Sequence, residues 1–356
     1  MPKRRRGDEG ASPENLSYAK AGVDIDVTNA AKREMAGSID RGDARVLNRF
    51  GAFASLLEGR FPAYRDPLLV MKTEEPGSKQ KLAFELGKGP SIGYDLVNHL
   101  INDLMVTGAE PLYVQDCIVC GRIEPPLVTA LVASMADACR DQGCVLCGGE
   151  TSVQPGVVAD GVYILTACAV GVVERGYVLD GSTIAESDSV LAVASNGPHT
   201  NGYTLVRKLL ERDGGLRDRP VGKETFIEAV MRPHTCYYRA ARELFRDGGL
   251  KGLAHITGGG MQDNLDRILP AHLDASVDLS LIRVPEVFAV IRREGDVAEA
   301  EMLRTFNMGV GLAVVCSAGS QATIERSFRS RGHDCYPIGR IVTGSRKVAF
   351  VGHLCF

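Results

Sequence analysis

Residues 92–120 read IGYDLVNHLINDLMVTGAEPLYVQDCIVC, and two patterns meet in them. Leu96, Val97, Leu100, Ile101, Leu104 and Met105 recur at the three-and-four spacing of a helix with one apolar face. After Gly108 the spacing changes, and residues 111–120 read as a strand. The same alternation continues downstream. Pro126 to Gln142 is a second helix, stopped by Gly143; Val145 and Leu146 start a strand that runs into GGET (148–151); Tyr163 to Val173 is a buried strand. Strand and helix in turn predict an α/β fold.

Working outward, Leu68 to Lys72 is a short strand ending in the turn TEEPGSK (73–79), and Val27 to Phe53 read as helix with polar breaks. Residues 1–15 are expected to be a disordered tail. Lys3 to Arg6 are basic, but no apolar segment follows them, so they are not read as a secretory signal and the cytoplasm is the expected location. The chain turns polar at 174–181, which places a domain boundary at about 178: residues 16–178 and 179–356. The second half repeats the style. Helices are expected at Thr204 to Arg212, over most of Thr225 to Phe245 with Pro233 interrupting, at Met261 to Ile268 and at Ser320 to Arg331. Strands are expected at Val190 to Ala194, Val310 to Cys316 and Ile338 to Val342. Two halves of this kind suggest two related α/β modules.

Composition bounds the function classes. The 356 residues are 45% hydrophobic and 24% charged with net charge −3, so no global field favours nucleic acid or an anionic membrane. The best apolar run, Tyr163 to Val173, is about half of the roughly 18 residues a membrane span needs. Among the ten cysteines, Cys117, Cys120, Cys144 and Cys147 spell two C-x-x-C pairs. Both pairs fall in strand-like runs, where residues i and i+3 point to opposite faces. These thiols are therefore expected to be buried and free, with no zinc held between them.

Two clusters could carry chemistry. The first is Glu74, Glu75, Lys79, Asp95, Asn102, Asp103 and Glu150. Its turn offers backbone amides beside a lysine, as phosphate binding requires, without the Walker spacing. Carboxylates converging on it would suit Mg²⁺; the same residues also read as helix caps and surface charges. The second is SNGPHTNGY (195–203), a glycine-rich passage from strand to helix. His199 in it could exchange a proton near neutral pH, or be a turn residue. HITGGG (255–260) is a comparable turn.

Together SYAKAGVDID, IGYDLVNHLINDLMVTGAEPL, GGET, GVVER, GPHTNGYTLVRKLL, HITGGGMQDNLDRILP and TFNMGVG resemble phosphoribosylformylglycinamidine cyclo-ligase, also called aminoimidazole ribonucleotide synthetase, from about Ser17 to Val342. The resemblance implies ATP-dependent cyclisation of formylglycinamidine ribonucleotide in purine biosynthesis. ATP phosphorylates the formyl oxygen, a ring nitrogen attacks the resulting iminophosphate carbon, and phosphate leaves. It also implies a homodimer whose N-terminal sheets join into a barrel, followed by a C-terminal α/β domain. By the same likeness, Lys20, Glu74, Gly77, Ser78, Lys79, Asn102, Glu150 and Thr151 contact Mg-ATP. The metal would be held by Glu74, Asp103 and Glu150. His199, Lys79 and Asp103 inherit catalytic roles, and Asn201, Gly202, Gly258, Gly259 and Gly260 the substrate cleft.

This chain departs from the family pattern on the nucleotide side. The family's DGVGTK falls on Glu74 to Lys79, its GGETAEMPG is GGETSVQPG with Val153 in place of an acid, and its DYD reads Val162-Tyr163-Ile164. Glu75 either supplies the charge that Val153 lacks, from the same cleft as Asp103 and Glu150, or is a solvated turn residue. The alternative reading is a diverged paralogue that binds a purine-pathway nucleotide or a partner without turning over ATP.

Overall fold

A computed structural model describes residues 17–39, 42–48 and 52–356. The expected disordered tail, 1–15, lies outside the described residues. The first half runs α1 (Ile25–Ile39), β1 (Pro67–Glu74), α2 (Lys79–Glu85), α3 (Ser91–Met105), β2 (Glu110–Cys120), α4 (Pro125–Gln142), β3 (Val145–Val153) and β4 (Tyr163–Glu174). Its sheet has the order β1-β4-β2-β3. Only the β2–α4–β3 crossover makes a parallel pair; β4 runs antiparallel to both β1 and β2. α3 packs its apolar stripe on the inner face of this sheet, and Leu96, Val97, Leu100, Ile101, Leu104 and Met105 are fully buried. Buried aliphatic side chains of this size stabilise by about 1.5–3 kcal/mol each.

The second half contains β5 (Ser189–Ala194), α5 (Tyr203–Arg212), a short hairpin β6 (Pro220–Val221) and β7 (Glu224–Thr225), α6 (Phe226–Val230) and α7 (Tyr238–Ala241). It continues through β8 (Leu250–His255), α8 (Gly260–Leu265), β9 (Leu273–Asp278), α9 (Glu286–Gly295), α10 (Glu299–Thr305), β10 (Val310–Cys316), α11 (Gln321–Ser330), β11 (Cys335–Thr343) and β12 (Val348–Val351). Its six-stranded sheet has the order β12-β9-β11-β5-β10-β8. Every residue of β10 is buried, as expected of a strand covered on both faces. The fold is the mixed α/β arrangement in two modules that the alternation of patterns predicts.

Two expected helices differ. The one expected from Val27 to Phe53 ends at Ile39, and the described residues beyond it are turns with a single bridge between Val46 and Leu57. There Gly42 takes φ +72° and Asp43 accepts a bond from the Arg45 amide, which bends the chain. The stretch from Thr225 to Phe245 is helical only toward its two ends, the second closing in a 3₁₀ turn at Arg242–Leu244. It holds a five-residue α6, an irregular crossing at 231–237, and the one-turn α7.

Candidate functional site

α3 builds the seam between the halves. Opposite its apolar stripe, Asp95, Asn98, His99, Asn102 and Asp103 recur at helical spacing and face the second half. Residues 231–237 cross here without regular structure, so their backbone groups need side-chain partners. Asp95 Oδ1 accepts from the His234 amide at 2.7 Å, and Asn98 Nδ2 donates to the His234 carbonyl at 2.7 Å. Asn102 Nδ2 donates to the Thr235 carbonyl at 2.8 Å, while its Oδ1 accepts from the Tyr237 amide at 2.9 Å.

Lys79, the first residue of α2, is fully buried beside them. Its ammonium donates to Asp95 (2.8 Å), to the His199 carbonyl (3.0 Å) and to the Arg232 carbonyl (2.7 Å). Those are all three of its protons, so contact with a phosphate requires releasing one of these bonds. Burial pulls the Lys79 ammonium down and pushes the Asp95 carboxyl up, while their mutual attraction opposes both shifts.

Four of the seven histidines meet at the same seam. His99 comes from α3, His199 from the loop after β5, His234 from the irregular crossing and His255 from the end of β8. His199 holds φ +60°, a left-handed conformation uncommon for a side-chain-bearing residue. Its ring stacks on His234 with centroids 4.0 Å apart. His234 Nε2 lies 2.9 Å from His255 Nε2, and His255 Nδ1 lies 2.7 Å from Asp103 Oδ1. The Thr200 hydroxyl sits between His99 Nδ1 (3.1 Å) and His234 Nδ1 (3.3 Å). Burial lowers His99 to about 4 and holds His199 and His234 well below the usual imidazole range, so these rings are neutral at pH 7. Burial raises the Asp103 carboxyl, but the His255 hydrogen bond and the Lys72 ammonium outweigh it and keep the group well below the usual carboxylate range.

The alternation of β1 puts Lys72 and Glu74 on the inner face, opposite Ala169 and Ala167 of β4. The Lys72 ammonium lies 3.0 Å from Glu74 and 3.0 Å from Asp103. An ammonium thus stands where these two carboxylates would grip a metal, and as arranged the pair does not fit Mg²⁺. Glu150 and Thr151 are elsewhere. With Asp116, Ser55 and Cys147 they line a cavity of about 490 Å³ beside β3. Burial pushes the Asp116 carboxyl up to about 7, against a backbone bond and helped by the nearby Glu150 charge. Two carboxylates lining one cavity are the donor type a hydrated divalent ion takes.

Glu75 does not share a cleft with Asp103 and Glu150, as expected of a substitute for the acid missing at Val153. It lines a separate groove of about 560 Å³ with Gly77, Ser78, Phe84, Tyr163 and Arg207. The turn after Glu74 carries its side chain away from the inner face. Lys20 lies in the turn before α1, whose Gly22 abuts Pro155 just beyond β3. The expected nucleotide residues therefore divide among the seam, the cavity and the groove. Cys117 is half-buried and Cys120 buried on opposite faces of β2, and Cys147 Sγ donates to the Val114 carbonyl.

On the substrate side, three glycine-rich stretches far apart in sequence converge. Ser195 Oγ donates to Asn307 Oδ1 at 2.9 Å, and Asn307 Nδ2 donates to the Gly197 carbonyl at 2.9 Å. Gly202 takes φ +78° against the Phe306 ring, where a Cβ would come within 2.0 Å. Gly258 lies against Asn201, and a Cβ on Gly260 would fall 1.7 Å from the Leu303 carbonyl. Asn201 Nδ2 is buried with no hydrogen-bond partner, a donor held in reserve for a ligand.

Lys72, His99, Asp116, His234 and His255 were not among the expected site residues. The period-two pattern of β1 pairs Lys72 with Glu74, and the i, i+4 spacing pairs His99 with Asp103, so those two were accessible. His234 and His255 reach the cluster through tertiary packing and carry no local signal.

Residues 62–173 match the family described as AIR synthase related protein, N-terminal domain, and residues 185–352 the corresponding C-terminal domain. Among solved structures, the chain is similar to thiamine-monophosphate kinase from Stenotrophomonas maltophilia, with 19% identity, 93% of this chain and 96% of that chain covered, and TM-score 0.65. It is similar to E. coli HypE, a hydrogenase maturation protein, at 16% identity, 92% and 93% coverage and TM-score 0.65. A HypE structure in complex with ATP matches at 17% identity, 89% and 88% coverage and TM-score 0.63. At these identities the likeness concerns the fold alone.

Proposed function

The chain belongs to the AIR synthase related proteins, and from that premise we propose that it is an ATP-dependent ligase that cyclises formylglycinamidine ribonucleotide to aminoimidazole ribonucleotide. The observation that carries this reading is the convergence of 195–203, 255–260 and 305–311 around Asn201, where Gly202, Gly258 and Gly259 remain at least partly exposed. Two of these stretches, 195–203 and 305–311, belong to the motifs in which the cyclo-ligase resemblance is most specific. Gly202 and Gly260 let these stretches pack together where a Cβ would strike the Phe306 ring and the Leu303 carbonyl, and Asn201 offers a ligand an unpaired donor.

When bound, Mg-ATP supplies the phosphoryl group that turns an amide oxygen into a leaving group. Asp116 and Glu150 would hold the metal, with Thr151 beside them; Glu74 and Asp103 join only when Lys72 withdraws. His199, neutral at pH 7, would accept or donate a proton on the substrate side. A second copy of the chain would cover the outer face of the first sheet, where Leu69 and Met71 of β1 are 61% and 69% exposed.

One observation favours the second reading, a nucleotide-binding paralogue without turnover. The ammonium groups of Lys72 and Lys79 are both committed to protein carboxylates. Complementation of a purine auxotroph lacking this step, together with ADP release assayed on formylglycinamidine ribonucleotide, separates the two. Substrate-dependent ADP release supports the ligase; nucleotide binding with no ADP release establishes the paralogue.

A further inference from the structure

We propose that the seam holds a late first-row divalent ion of the zinc class, bound by His234 Nε2, His255 Nε2 and a ring nitrogen of His199. Candidate ligand atoms of these three residues lie within 4.8 Å of one another, and the residues are 1%, 4% and 1% exposed for His234, His255 and His199. Imidazole nitrogens suit such ions, and three protein ligands leave a position open for water or substrate.

The proton arrangement argues for the ion. As a metal ligand the imidazole is neutral, and the 2.7 Å contact of His255 with the Asp103 carboxylate selects the tautomer with the proton on Nδ1 and the lone pair on Nε2. This is the carboxylate–histidine pairing that orients metal-ligating imidazoles. His234 Nε2 points at that lone pair from 2.9 Å. Without an ion, His234 must carry its proton on Nε2, with Nδ1 accepting from Thr200. Both nitrogens of His199 are then left buried with no partner, which is unfavourable for a polar ring. With an ion, the His234 proton moves to Nδ1 and is accepted by Thr200. Thr200 donates instead to His99 Nδ1, and the His99 proton moves to Nε2, facing Glu74 and Asp103 at 3.8 and 3.7 Å. No proton is gained or lost. Two nitrogens each about 2.05 Å from a tetrahedral ion lie about 3.3 Å apart, so the 2.9 Å between these rings widens slightly when the ion enters. A shift of the His199 ring supplies the third ligand.

A second grouping, His99, Asp103 and His255, is also close enough to hold an ion. There Lys72 lies 3.0 Å from Asp103, and its positive charge opposes a dication. Among the described residues, the cation beside the histidine triad is the Lys79 ammonium, whose charge is balanced by Asp95 at 2.8 Å.

The test uses the untagged full chain, stripped with chelator and titrated with Zn²⁺ and with Co²⁺. Bound metal per chain, the visible spectrum of the cobalt form and the shift in Tm are read together. One ion per chain is expected, with a rise in Tm and cobalt bands indicating nitrogen ligands. His234→Gln and His255→Gln should lose it, and His99→Gln should retain it. Thr200→Val leaves all three ligands in place and, by removing an outer partner, should weaken binding by about 10–100-fold. It serves where a histidine variant does not fold. Absence of stoichiometric metal in the wild type overturns the proposal. So does unchanged affinity in Thr200→Val, retention in both His234→Gln and His255→Gln, or loss in His99→Gln.

Discussion

At the residue scale, two lysines on the same seam have opposite consequences. Lys79 is buried and bonded three times, so Lys79→Ala strands Asp95 and two carbonyls. Breaking a buried pair from one side costs about 3–5 kcal/mol. The loss should show in the denaturant midpoint, and adding Asp95→Leu should recover part of it; equal loss in the double variant would mean the pair is not what Lys79 serves. Lys72 is 36% exposed, and its ion pairs stabilise by less than about 1 kcal/mol. Lys72→Ala should leave stability nearly unchanged while tightening Mg²⁺ binding, read by calorimetry, because it frees Glu74 and Asp103. Asp116 gives a pH signature. Its folded pKa is raised to about 7 from 3.8, so its stabilising contribution is complete below the unfolded value and is lost as pH rises through about 7. Asp116→Asn should therefore gain on the wild type between pH 5 and pH 8 in matched denaturant curves; parallel curves would remove Asp116 from the set of strained carboxylates.

At the scale of elements, the seam depends on one helix face. Asn102→Leu leaves the Thr235 carbonyl and Tyr237 amide without partners, at about 1–3 kcal/mol for each group. Limited proteolysis should then cut within 231–237, where the wild type resists; an unchanged digestion pattern would show that the crossing is held by packing instead. The helix itself was legible, because its apolar stripe repeats locally. So was the pairing of Asp95 with Asn102 on one face, seven residues apart. What that face does was not legible. Asn102 reads as a nucleotide ligand by resemblance, whereas here its amide substitutes for the ladder that 231–237 lacks. The same contact explains why Thr225 to Phe245 misleads. Its composition suits a helix, but α3 satisfies the backbone of its middle from outside, and Pro233 has no amide to give a helix. Convergence of His234 and His255 belongs to the same class, since residues 21 apart in sequence meet only through the packing of β8 on the crossing.

At the scale of the molecule, the first sheet has one face under α3 and one open. Its open face carries Leu69 and Met71 of β1 beside the half-buried Val170 of β4. Met71→Lys should convert a dimer to monomers in analytical ultracentrifugation with little change in monomer Tm; a wild type that sediments as a monomer at micromolar concentration would remove the second copy from the account. The seam has a temporal side as well. Asn102 and the Thr235 carbonyl it serves are 133 residues apart in the chain. At about 5–20 residues per second, a ribosome takes roughly 7–27 s to travel that distance. Throughout that interval the nascent first half presents Asp95, Asn98, Asn102 and the Lys79 ammonium without the strand of chain that completes them. Synthesis speed across 106–234 thus sets how long an unfinished polar face waits at the tunnel exit. Slowing it with rare codons should raise the fraction captured by chaperones, whereas slowing near the C-terminal end, once 231–237 have left the tunnel, should not.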